Sequence, residues 1–125
     1  MHGCLSELGK RFPGYKNQGY EIKGFVWFQG WNDQYQDRWL TYEKNMANFI
    51  RNVRMEFKAP DMRFVIGQMG NDGMKPDEEG SPRDYIKKAQ AAVPNHPEFK
   101  GNALCVGTDK YWDMEAHAIY TGPGG

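Results

Sequence analysis

The sequence has little of the aliphatic material from which a core is usually built. Leu, Ile, Val and Phe account for 21 of its 125 residues, about 17%, below the roughly 20% at which disorder becomes an option for a highly charged chain. It also has no net charge, 16 basic residues balancing 16 acidic ones. That removes the main driver of disorder and argues against a nucleic-acid or anionic-membrane partner, because both are bound through clustered Lys and Arg. Cysteine is scarce: Cys4 and Cys105 fit no zinc or redox spacing and make no disulfide framework, so the compartment stays open. No apolar run approaches the ~18 residues of a membrane span, and Met1–Lys10 shows no charged segment followed by an apolar stretch, so no signal peptide is visible.

Against these shortages stand 4 Trp, 7 Tyr and 7 Met, which bring large buried area with polar handles. The reading is a folded chain with a thin aliphatic core, of a size that suits one domain over residues 1–125.

Three short β-rich runs are expected to be strands: Gly24–Gly30, Met62–Met69 and the weaker Ala103–Gly107. The first two read as buried. Between them, Trp39, Tyr42, Met46, Phe49, Ile50, Val53 and Phe57 recur at three- and four-residue steps, predicting one long amphipathic helix from Tyr35 to Lys58, stopped by Pro60. Ser81-Pro-Arg-Asp84 predicts a helix start, with Tyr85, Ile86, Ala89 and Val93 as its apolar face and Pro94 and Pro97 closing it. Gly67–Gly80 reads as a long loop facing the site edge. Strand, helix, strand, helix, strand predicts an α/β domain with a parallel sheet and flanking helices, whose site lies beyond the carboxyl ends of the strands.

The informative stretch follows the first run: Gln29-Gly30-Trp31-Asn32-Asp33. A glycine permits a tight turn, and a side-chain amide two residues later can point its N–H into the space above the sheet, where it would stabilise an oxyanion during acyl transfer. Asn32 is that candidate donor. Alternatively, Asn-Asp after a strand simply makes a turn, or Asp33 caps the next helix.

Gly30-Trp31-Asn32-Asp33 matches the GxND block of the SGNH (GDSL-like) hydrolases, and GFVWFQGWND resembles the strand and loop of the sialate O-acetylesterase-like carbohydrate esterases, the family 6 type. Similarity continues through Ile50-Arg-Asn-Val-Arg54, Phe64-Val-Ile-Gly-Gln68 and Thr108-Asp-Lys-Tyr-Trp-Asp113, covering the chain from about Gly19 onward. The resemblance implies a flavodoxin-like, three-layer SGNH architecture, of which three strands are visible, and a serine hydrolase that removes acetyl groups from sugars without a cofactor. It implies an oxyanion role for Asn32, with Gln29, Gly30, Trp31 and Asp33 on the substrate side. Trp31 stands where many relatives have glutamate.

A serine esterase also needs a nucleophile, a base and an acid that orients the base. The only serines are Ser6 and Ser81, and neither sits in the G-[DQ]-S block of that family. Ser81 reads as a helix cap and Ser6 as a surface residue. His117 follows Asp113 by four residues, whereas the family's acid–base block is spaced D-x-x-H. On a helix the two would be i,i+4 neighbours, with Asp109 on the same face; a surface pair, a catalytic base and a weak metal site all remain open. His96 reads as a loop residue. The expectation is a partial esterase domain holding one oxyanion donor and part of the pocket wall, with acetylated carbohydrate as its partner. Two alternatives stand beside it. One is a sugar-binding module using Trp27, Phe28, Trp31, Tyr35 and Trp39; the other is an association module, self-associating or taking a complementing chain at an exposed sheet edge.

Overall fold

The computed structural model describes residues 7–11, 14, 19–113 and 115. A short helix α1 (Leu8–Arg11) precedes β1 (Gly24–Phe28), α2 (Tyr42–Glu56), β2 (Arg63–Gln68), α3 (Pro82–Ala92) and β3 (Ala103–Gly107). The strands form one parallel sheet in the order β1-β2-β3, with Gly24 opposite Arg63 and Val65 opposite Leu104. The parallel α/β architecture expected from the alternation of runs is therefore present.

That strand order decides where the core sits. Two successive right-handed crossovers that step the same way across a sheet must lay both helices on the same face. Accordingly Tyr42, Met46 and Ile50 of α2 join Ile86 and Ala89 of α3 in one cluster with Phe64 and Ile66 of β2. Each fully buried Ile or Phe contributes about 1.5–3 kcal/mol here. Aromatics make up the aliphatic shortage: Phe25 stacks on Phe64 with ring centroids 5.2 Å apart, and Trp27 packs on Phe49 at 4.5 Å.

The other face is open among the described residues, which supply the sheet and one helical layer. Because side chains alternate along a strand, Phe25 and Trp27 turn toward the helices while Val26 and Phe28, 74% and 67% exposed, turn away with Leu104 and Val106. The expectation that β1 is buried is thus corrected: the described residues cover it on one side only. Phe28 folds its ring across Gly67, where an added Cβ would collide with it.

The predicted 35–58 helix is also corrected. Gln36 and Asp37 both have φ of 57°, left-handed values that a right-handed helix cannot contain. The chain instead makes two 3-10 turns, Trp31–Gln34 and Arg38–Thr41, before α2 begins at Tyr42. Trp39 leaves the expected stripe and packs edge-on against Tyr85 at 5.0 Å. Nor does Pro60 end α2. Lys58 turns left-handed at φ 51°, its N–H bonding Met55 O at 3.1 Å while Ala59 N–H reaches Arg54 O at 2.9 Å, a Schellman ending with lysine in the usual glycine position.

The start of α3 is as expected: Ser81 Oγ accepts Asp84 N–H at 3.2 Å, and Pro82 opens the first turn. Pro94 does not close it but lies within a 3-10 extension, Val93–Asn95. At the amino ends of β2 and β3, the buried Arg54 donates to Met62 O at 3.1 Å and to Asn102 Oδ1 at 2.9 Å. Burial lowers its pKa from the ordinary value, yet an arginine stays charged at any physiological pH.

Relieving the left-handed lysine tests the ending of α2. Lys58→Gly is expected to raise the unfolding free energy by about 0.5–1 kcal/mol in urea denaturation; a loss of stability would mean that the lysine side chain outweighs its backbone strain.

Candidate functional site

The turns that leave the three strands converge on one cavity of about 580 Å³. β1 contributes Phe28 to Asn32, β2 contributes Met69 to Asn71, and the segment after β3 contributes Thr108, Tyr111 and Trp112. This is the carboxyl edge of the sheet, the place where open α/β sheets put their ligands.

A single buried amide holds the first two turns together. Gln90 of α3 is fully buried; its Oε1 accepts Met69 N–H at 2.9 Å, and its Nε2 donates to Gln29 O at 2.9 Å and to the Tyr42 hydroxyl at 3.1 Å. Tyr42 in turn donates to Gln29 O at 2.8 Å. Burial pushes the Tyr42 phenol up to about 12. The second and third turns meet more directly: Thr108 Oγ1 donates to Gln68 O at 2.7 Å, and a Cβ on Gly70 would lie 2.5 Å from Thr108 Oγ1 and 2.7 Å from its carbonyl carbon. Only glycine permits that approach.

Ion pairs fix the loop after Gly70 and the turn after β3 to α3. Arg83 binds Asp72 at 2.6 Å and also Asp77, while Lys87 binds Asp77 at 2.8 Å and Asp109 at 3.1 Å. Burial opposes the charge on Lys87, but its bonds to Asp77 and Asp109 outweigh that and raise its pKa.

Of the residues expected at the site, Gln29, Gly30, Trp31 and Asn32 come together on one wall. Trp31 is 45% exposed. Asn32 is exposed, and among the described residues no hydrogen bond engages its side chain. Asp33 sits beside this wall and outside the lining, its carboxylate accepting from the Gln29 amide.

Of the acid–base candidates, Asp113 alone lies among the described residues. Asp113 is exposed and outside the lining, its Oδ1 accepting Glu115 N–H at 2.9 Å. His117 and Ser6 lie outside the described residues. Asp109 belongs to a 3-10 turn, Asp109–Tyr111, and pairs with Lys87, so the expected helical face with Asp113 does not form. His96 bonds Glu43 at 2.7 Å, away from the cavity. Among the described residues no group of three or more His, Cys, Asp or Glu could hold a metal ion, and no helix is long and apolar enough to cross a membrane.

Of the five aromatics grouped around the first strand, Phe28 and Trp31 line the cavity, while Trp27, Tyr35 and Trp39 do not. Asn71 completes the lining from the loop after β2, and Thr108, Tyr111 and Trp112 complete it from the Thr108–Asp113 stretch. Gln90 was missed altogether, although a polar residue at the spacing of Ile86, Ala89 and Val93 is a readable signal.

In comparisons with known proteins, residues 7–118 match the family described as carbohydrate esterase, sialic acid-specific acetylesterase. No curated protein matches, and no solved structure matches.

Two outcomes test the clamp at the cavity. Gln90→Leu strands the Met69 N–H and a lone pair of the Gln29 carbonyl, and is expected to cost about 1–3 kcal/mol of stability in urea; no change would remove Gln90 from the role given to it. Tyr42, with a folded-state pKa near 12 against an ordinary 10.0, contributes stability that is full below about pH 10 and is lost as pH rises toward 12. Unfolding followed between pH 9 and 12 should show a decline that Tyr42→Phe flattens.

Proposed function

The chain belongs to the sialic acid-specific acetylesterase family of carbohydrate esterases, and on that premise we propose that it forms the part of a serine O-acetylesterase that carries one oxyanion donor and the wall of the sugar pocket. The observation behind this reading is Asn32, an amide with its side chain uncommitted within the described protein, on the wall of a cavity at the carboxyl edge of the sheet. In the reaction, a serine hydroxyl attacks the acetyl carbonyl, the bond to the sugar oxygen breaks, and water releases acetate from the acyl-enzyme. The Asn32 N–H steadies the oxyanion of each tetrahedral intermediate, while Gln29, Gly30 and Trp31 bound the space for substrate and Asp33 holds the Gln29 amide. Asp113 and His117 are the weaker candidates for acid and base.

Ser81 is an unsuitable nucleophile, since its hydroxyl accepts the Asp84 N–H as a helix cap. Neither serine stands in a block of the family's nucleophile type. Hydrolysis of acetyl esters accordingly depends on a serine this chain does not supply.

A second reading, association, is favoured by the sheet face that the described residues leave open. Val26, Phe28, Leu104 and Val106 form an exposed apolar row, and a second copy meeting it face to face would bury that row.

The chain alone is expected to leave p-nitrophenyl acetate at its background rate; turnover lost on Ser6→Ala or Ser81→Ala would overturn the assignment. In an active assembly that includes the nucleophile, Asn32→Ala should lower kcat by about a hundred- to a thousandfold, and unchanged turnover would remove Asn32 from the oxyanion site. For association, sedimentation should show a concentration-dependent dimer that Leu104→Lys dissolves; a monomer throughout would leave the esterase reading alone.

A further inference from the structure

We infer that Lys87 is a positioning residue of the candidate site: by binding carboxylates of two different segments, its ammonium sets how Trp112 stands on the cavity wall. The inference rests on the pocket reading only for what Trp112 faces, since an aromatic wall suits the C–H face of a sugar ring. Trp112 lines the cavity directly after the 3-10 turn Asp109–Tyr111, and its N–H donates to Asp109 O at 3.2 Å. Its side chain also meets the loop after β2. Gly73 there has φ 65°, and a Cβ added to it would lie 3.4 Å from Trp112 Cδ1 and 3.5 Å from Trp112 Cβ. Two segments therefore place the indole, its own turn and that loop.

Lys87 joins the two. Its Nζ lies 2.8 Å from Asp77 Oδ2 of the loop and 3.1 Å from Asp109 Oδ1 of the turn. The Lys87 side chain is 13% exposed and that of Asp77 7%, so these charges meet with little solvent between them and attract more strongly than a surface pair. The lysine backbone is fixed as well, because its carbonyl accepts the Gln68 amide from the end of β2 at 2.9 Å. Met74, the apolar neighbour of Gly73, is 78% exposed and adds little to the hold on the loop. Arg83 grips the loop separately, through Asp72 at 2.6 Å and through Asp77. Removing the charge of Lys87 therefore uncouples the turn from the loop, while Arg83 keeps the loop on α3.

The full chain labelled with 5-fluorotryptophan gives a fluorine resonance for each of its 4 tryptophans, and loss of one in Trp112→Phe identifies that of Trp112. In Lys87→Met the Trp112 resonance is expected to shift toward its position in the urea-unfolded chain, while that of Trp27, packed on Phe49, stays in place. Lys87→Arg, which keeps a cation on the same stem, should return it. A loss of stability in Lys87→Met with the Trp112 resonance unmoved would overturn the inference and leave Lys87 an ion pair of the scaffold alone. Should Lys87→Met not fold, Asp109→Ala cuts only the arm to the turn, and an unmoved Trp112 resonance there overturns the inference equally. Titration with O-acetylated N-acetylneuraminate then tests the pocket by itself. A Trp112 shift in the unmutated chain that is lost in Lys87→Met supports both ideas. No shift in the unmutated chain counts against the carbohydrate reading, and the ligand-free spectra still decide the role of Lys87.

Discussion

The carboxamide of Gln90 is the contact on which the geometry of the candidate site depends. It is fully buried at the carboxyl edge of the sheet, and it bridges the backbone where β1 and β2 end: the Met69 N–H on one side and the Gln29 carbonyl on the other. Buried hydrogen bonds of this kind contribute little net energy when made and cost much when half-made. They therefore specify geometry more than they add stability. Because Gln29 is held, Gly30, Trp31 and Asn32 leave the strand along one path; because Met69 is held, Gly70 can close on Thr108.

A second buried polar group does the corresponding work at the opposite end. Arg54 ties the amino ends of β2 and β3 through Met62 and Asn102, so the sheet is clamped by α2 at one edge and by α3 at the other. Between the clamps, an apolar layer rich in aromatics suffices. The long loop after β2 would otherwise be loosely held, and its ion pairs with Arg83 and Lys87 give it a defined position beside the cavity. The cavity is thus assembled from turns, but each turn is anchored to the rigid layer of helices.

Much of this was legible beforehand, for identifiable reasons. Strand ends marked by glycine and β-rich composition placed all three strands within about two residues, and Ser81-Pro-Arg-Asp84 predicted its own hydrogen bond. The Gly30–Asp33 string indicated the wall that Asn32 occupies, and the resemblance it carries agrees with the family match. The misses share a cause. Gln36 and Asp37 are not residues that announce two left-handed conformations in succession, so an apolar stripe was carried seven residues too far back. Lys58 ended α2 because the chain had to turn into β2, and no local preference of lysine signals that.

Sequence by itself determined the parallel α/β class, the cap of α3, the position of the candidate oxyanion amide and the family, because each is written in short-range spacing or in a contiguous motif. Only the tertiary structure decided which face of the sheet is covered, that Gln90 joins two turns separated by some 40 residues of chain, and that Asp109 serves Lys87 instead of Asp113. Those facts follow from the side on which the crossovers lay the helices and from what then comes within hydrogen-bonding distance, and such distances exist only after the chain has packed.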